Sequence, residues 1–98
     1  MQIVAMIADI KADSRNVSVK GKVIEKKEPR EVSTRFGKKF VGECTVEDET
    51  GRIVLVLWED DIGKVKEGDT IEVKNGYVTL WNGVLQLNIG KFGSLEVL

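Results

Sequence analysis

Three aromatic side chains and one run of cations are the groups in this sequence best suited to engaging a ligand: Trp58, Tyr77 and Trp81, and the basic stretch from Lys20 to Lys39. On a 98-residue chain a lone ring ordinarily belongs to the core. Here Trp58 is out of phase with Ile53, Leu55 and Leu57, and Tyr77 and Trp81 are out of phase with Val78 and Leu80. Rings on an outer strand face can accept unpaired bases, each stack contributing roughly 1–3 kcal/mol with little regard to base identity. Thr79, Gln86 and Asn88 share that outer face and suit hydrogen bonds to base edges or sugars. Candidates for phosphate contacts are Lys20, Lys22, Arg30, Arg35, Lys38, Lys39 and Lys74, and Phe36 in the basic stretch is a further candidate ring. If about three phosphates are neutralised, log affinity should fall against log salt with a slope near −2, at about −0.7 per single-strand phosphate.

The charges are segregated although the chain as a whole carries only −1. Residues 20–39 hold eight basic side chains against three acidic, and residues 40–69 hold three against nine. A basic stretch facing away from an acidic rim would guide an anion to one groove, because a local patch acts nearly independently over a Debye length of about 8 Å. No histidine is present, which removes His-based acid–base catalysis and a zinc site of the usual kind. Cys44 is alone, so it has no internal disulfide partner, and on an inner strand face it is expected to be inert. Glu47, Asp48, Glu49, Asp60 and Asp61 lie on turns, where acids serve solubility far more often than metal binding. The expectation is a non-enzymatic protein with no cofactor and no metal.

The strands that must position these groups are legible as alternation. Val17, Val19, Gly21 and Val23 alternate with polar residues, and Gly21 supplies the bend a small barrel needs. Residues 28–39 hold the only proline and a Phe-Gly turn and are read as a long hairpin loop. Phe40, Gly42, Cys44 and Val46 form the inner face of a second strand, with Val41, Glu43, Thr45 and Glu47 outside. DETG, 48–51, turns the chain into a third strand, 52–58, whose outer residues Val54, Val56 and Trp58 are unusually apolar. Residues 60–65 allow a helical turn or two, and KEGD, 66–69, leads into the fourth strand. There Ile71 and Val73 are apolar at odd positions, Val78 and Leu80 at even ones, which places a β-bulge at Asn75–Gly76 and turns Tyr77, Thr79 and Trp81 outward. Asn82–Gly83 makes a tight hairpin to a fifth strand with Leu85, Leu87 and Ile89 inward. This pattern predicts an all-β, five-stranded OB-fold, a Greek-key small barrel with a short helical turn between strands three and four, in preference to an SH3-like barrel.

The runs VEDETGRIVLVLW (46–58), KEGDTIEV (66–73) and NGYVTLWNGVLQLNIG (75–90) resemble the archaeal single-stranded DNA-binding proteins and the OB domains of replication protein A. RNVSVKGKVIE (15–25) is similar to the first strand of the same group, so the resemblance covers about residues 7–91. It implies binding of single-stranded DNA in replication, repair and recombination, with base stacking on rings that fall at Trp58, Tyr77 and Trp81. Family members usually carry a Gly/Arg-rich, acidic tail, whereas this sequence stops at SLEVL. The reading is one OB domain, 1–98, either standing by itself or serving as one module of a larger replication protein A, with Val54 and Val56 suited in the second case to contact with a neighbouring module. Two alternatives stay open: assembly with other OB modules or with replication and repair proteins, and binding of single-stranded RNA. No apolar run reaches about 18 residues, and MQIVAMIADI lacks the basic start and cleavage site of a signal peptide. The expected setting is cytoplasmic and nucleoid-associated, without a membrane partner.

Overall fold

Val19, Val23, Leu55, Leu57, Ile71, Val73 and Leu87 are almost wholly removed from solvent, each at an inward position of a strand. The computed structural model that shows this describes residues 5–98; residues 1–4, part of the stretch read for a targeting signal, lie outside the described residues. A 3-10 turn, η1 (Ile7–Asp9), precedes β1 (Val17–Lys26), β2 (Arg30–Thr34), β3 (Gly37–Glu47) and β4 (Arg52–Trp58). A second 3-10 segment, η2 (Glu59–Lys64), leads to β5 (Thr70–Trp81), β6 (Val84–Asn88) and β7 (Ser94–Val97). Five strands close a ring in the order β1–β3–β4–β6–β5 and back to β1, all pairs antiparallel except β4 with β6. The five-stranded OB-fold read from alternation is the architecture found, with η2 where a helical turn was expected.

Closure depends on β1 serving two partners. Its residues 17–22 pair with β5 and 22–26 with β3, with a register shift between Val23 and Glu25. Gly21 sits at the changeover, where an added Cβ would lie 2.7 Å from both the Glu47 carbonyl oxygen and Val46 Cγ1. The expected bulge in β5 is also present: Val17 pairs Gly76 while Val19 pairs Val73, and Asn75 takes φ +55°. Asn82 and Gly83 both have positive φ, as a two-residue hairpin turn requires.

Several expectations need correction. Residues 28–39 are not a loop: β2 pairs with β3 from Arg30–Val41 to Thr34–Gly37, making a second hairpin. A seventh strand, β7, continues along β5 beyond β6. Phe40 and Leu80, assigned inward by phase, are 49% and 57% exposed because each lies beyond the last core member of its strand, Cys44 in β3 and Val78 in β5. Gly42 is the last inward position of β3 and is covered by Ile62 of η2. Val41 and Val56 lie on the outer face as expected yet are buried, and Ser18, expected outside, is buried beneath the chain near Ala5, whose N–H donates to the Ser18 carbonyl.

Cys44 is buried, and desolvation pushes its thiol up to about 11 despite the nearby Lys26 ammonium, which suits the expected inertness. No helix among the described residues is long and apolar enough to cross a membrane.

Candidate nucleic-acid interface

Strand register decides which outward side chains meet. Arg30 of β2 lies opposite Val41 of β3, which lies opposite Trp58 of β4, forming one row across three strands. Glu43, Val56, Asn88 and Tyr77 form the next row across β3, β4, β6 and β5. Thr45, Val54, Gln86 and Thr79 form a third, and Val84 opposite Trp81 completes the face. The out-of-phase positions therefore converge on one continuous surface. Trp58, Tyr77 and Trp81 are 43%, 42% and 59% exposed, as the phase argument required.

Trp58 stands between two clefts. On one side it shares a hollow of about 190 Å³ with Arg30, Val32, Trp81 and Gln86. On the other it shares one of about 260 Å³ with Tyr77, Asn88 and Gly90. Half-exposed rings flanking clefts of this size can take a flat, unpaired base on one face while the other face stays packed on the sheet. The polar members are pre-set by one another: the Asn88 amide donates to Thr79 Oγ1 at 3.1 Å and the Gln86 amide to Glu43 Oε1 at 3.3 Å. Glu43, read as outward but not as a site residue, is an anion in this cleft, and its carboxylate is engaged by Gln86 rather than left facing the groove alone.

The cations divide by strand parity. Lys39 pairs with Val32 and so shares the groove face with Arg30, whereas Lys38 pairs with Ser33 and faces the reverse side of the hairpin with Phe40. Lys39 lies 3.7 Å from Glu59, so the basic and acidic stretches meet there rather than facing apart. Arg35 and Phe36 occupy the hairpin tip, the guanidinium 5.2 Å from the ring centroid. Lys20 and Lys22 pair with Glu72 and Thr70 on the β1–β5 side, and Lys74 lies 3.9 Å from both Glu72 and Glu96, so these three do not line the groove. Lys26, counted in the basic stretch, instead donates to the Ile62 and Val65 carbonyls at 2.7 Å each and secures the end of η2. Among the described residues no cluster of three acidic, Cys or His side chains is placed to hold a metal ion.

Comparison with known proteins places this geometry. Residues 9–97 match the family described as single-stranded DNA binding protein Ssb-like, OB fold. The chain is 36% identical over 84 residues to the single-stranded DNA binding protein Ssb of Saccharolobus solfataricus, covering 86% of this chain and 57% of that protein. It is 32% identical over 96 residues to replication factor A of Methanothermobacter thermautotrophicus, covering 92% of this chain and 12% of that protein. The chain thus spans only part of either relative. Among solved structures, the OB domain of Ta0387 from Thermoplasma acidophilum superposes with a TM-score of 0.84 at 25% identity, covering 97% of this chain and 86% of that one. The resemblance read from the motifs is borne out over nearly the same span.

Proposed function

This chain belongs to the Ssb-like family of OB-fold single-stranded DNA-binding proteins, and from that premise we propose that it binds single-stranded DNA without enzymatic chemistry, by stacking bases on Trp58, Trp81 and Tyr77. The observation that carries the reading is Trp58 standing between two clefts, one shared with Trp81 and Arg30, the other with Tyr77 and Asn88. A strand laid along them meets rings in succession, hydrogen-bonding groups between the rings, and Arg30 and Lys39 at the hairpin side for its phosphates. Duplex DNA keeps its base faces stacked and offers nothing to such a platform, so the surface selects single strands. Residues 1–98 act as one OB module, with a site of about four or five nucleotides. The family setting supports service in replication, with repair and recombination as further settings in which single strands arise.

Titrating the chain with oligo-dT while following tryptophan emission tests the proposal, since Trp58 and Trp81 are the only tryptophans and both line the groove. Quenching that saturates at low salt, weakens with a slope near −2, and is absent with duplex of the same sequence is the expected result. No quenching at low salt overturns it. Oligo-rU in parallel reads the DNA preference, because stacking alone does not sense the 2′-hydroxyl.

A further inference from the structure

A third cleft, of about 720 Å³, opens on the far side of Tyr77 and is used by nothing described so far. One wall is the segment leading into β1, with Arg15. The floor is β5 after its bulge, with Tyr77 and Thr79, and the other wall is the turn carrying Lys91 and Phe92.

The turn exists because β6 and β7 both pair with β5 but are separated by residues 89–93, opposite the bulge at Asn75–Gly76. The extra chain loops outward and presents Phe92 at 84% exposure. Backbone hydrogen bonds hold both walls: the Val78 N–H donates to the Ser14 carbonyl at 2.9 Å, and the Gly93 N–H to the Gly90 carbonyl at 3.3 Å. The cleft is therefore built into the fold.

We propose that this cleft is a second subsite for single-stranded DNA, in which Phe92 stacks a base beyond the one at Tyr77 and Arg15 takes a phosphate. The inference rests on the functional reading above and extends its track. Continuity is the first support, since Tyr77 and Gly90 line both this cleft and the one shared with Trp58. A strand leaving Trp58 past Tyr77 runs into it. Charge is the second: Arg15 and Lys91 face one acid, Asp13, along the walls, and neither cation is ion-paired among the described residues. Ring chemistry is the third. The Lys91 ammonium lies 5.7 Å from the Phe92 centroid, which occupies one face of the ring and leaves the other for a base.

Affinities of the full chain for oligo-dT of about three to twelve nucleotides test this, with Phe92→Ala, Phe92→Tyr, Arg15→Gln and Trp58→Ala measured beside the parent. Parent affinity should climb with length past the oligomers that Trp58 and Tyr77 fill. Phe92→Ala should remove that last increment, a loss of about 5- to 100-fold confined to the longer oligomers, and Phe92→Tyr should restore it. Arg15→Gln should lower the salt slope for long oligomers only. Trp58→Ala should weaken every length. If Phe92→Ala matches the parent at all lengths, or weakens all lengths equally, the second subsite is overturned while the Trp58 result keeps the main reading. If Trp58→Ala also changes nothing, both fall. A melting transition unchanged in Phe92→Ala, expected from its exposure, confirms that binding and not folding is being read.

Discussion

Gly90 lies close against the ring of Tyr77: a Cβ at that position would stand 2.9 Å from Tyr77 Cε1 and 3.0 Å from Cδ1. Gly90 also takes φ +75°, a conformation that side chains rarely adopt. One residue without a side chain thus turns the chain out of β6 and lets the ring settle where two clefts join.

Gly90→Ala should therefore have two effects. Left-handed backbone on a residue with a Cβ costs about 1–2 kcal/mol of stability, readable in denaturant unfolding. The displaced Tyr77 ring should weaken oligo-dT binding as well, toward the level of Tyr77→Ala. Unaltered affinity would show that the ring's placement does not depend on this contact.

Trp58→Ala and Trp81→Ala should each weaken binding by about 1–3 kcal/mol with little change in unfolding midpoint, because both rings are roughly half exposed. The two rings share one cleft, so their effects should not be strictly additive, and a double-mutant cycle by titration gives the coupling. Unfolding of either single variant would mark a ring that supports the core instead.

Lys38 and Lys39 provide a sharper test of the face assignment, being adjacent in sequence and opposite in orientation. Lys39→Ala should reduce the slope of log affinity on log salt by about 0.7, and Lys38→Ala should leave it unchanged. Glu59 partners Lys39 at 3.7 Å, so Glu59→Gln should raise affinity at low salt by freeing that ammonium. Equal slopes for the two lysine variants would remove the hairpin's groove face from phosphate contact.

Period-two alternation sufficed for the inward residues of β1 and β4 and for β5 through its bulge to Val78, because these face a real opposite wall and one slip would expose an entire apolar set. It misled at Phe40 and Leu80, since phase continues past the last core member of each strand. The three rings were legible for the same reason that β5 was: they sit against the phase of a strand pinned by its core. Glu43's place beside Gln86 was not, because the parallel β4–β6 pairing that joins the halves of the groove has no local sequence signal, and the cleft lined by Arg15 and Phe92 was not, because it forms between the segment before β1 and the turn between β6 and β7. The lysines looked alike in sequence and separate only when register assigns Lys39 to the groove and Lys26 to η2.

Acid should loosen the molecule through Asp48. Partial desolvation acts to raise its pKa, but hydrogen bonds from the Thr50 hydroxyl and from the Ile7, Thr50 and Gly51 N–H groups outweigh it and hold the carboxyl below its ordinary value. Its Oδ2 accepts from Ile7 at 2.8 Å, tying η1 to the turn between β3 and β4. A carboxyl depressed in the folded state stabilises above the unfolded value of about 3.9, and that contribution is lost as pH falls through the folded value. Asp48→Ala should be less stable than the parent near neutrality, and the two should converge in acid. A constant gap at every pH would assign the loss to packing rather than charge.

Lys26→Met keeps the aliphatic stem and removes the ammonium that donates to the Ile62 and Val65 carbonyls at 2.7 Å each. Those carbonyls lie at the end of η2, where a 3-10 segment has no further turn to satisfy them. Hydrogen bonds from a charged donor contribute about 1.5–3 kcal/mol, so the variant should unfold at measurably lower denaturant. Binding should respond differently, because Lys26 lines none of the three clefts along which a strand is placed. The salt slope for oligo-dT should equal the parent's, even though Lys26 belongs to the most basic stretch of the sequence. A shallower slope with unchanged stability would reverse the assignment and return this lysine to the phosphate-binding set.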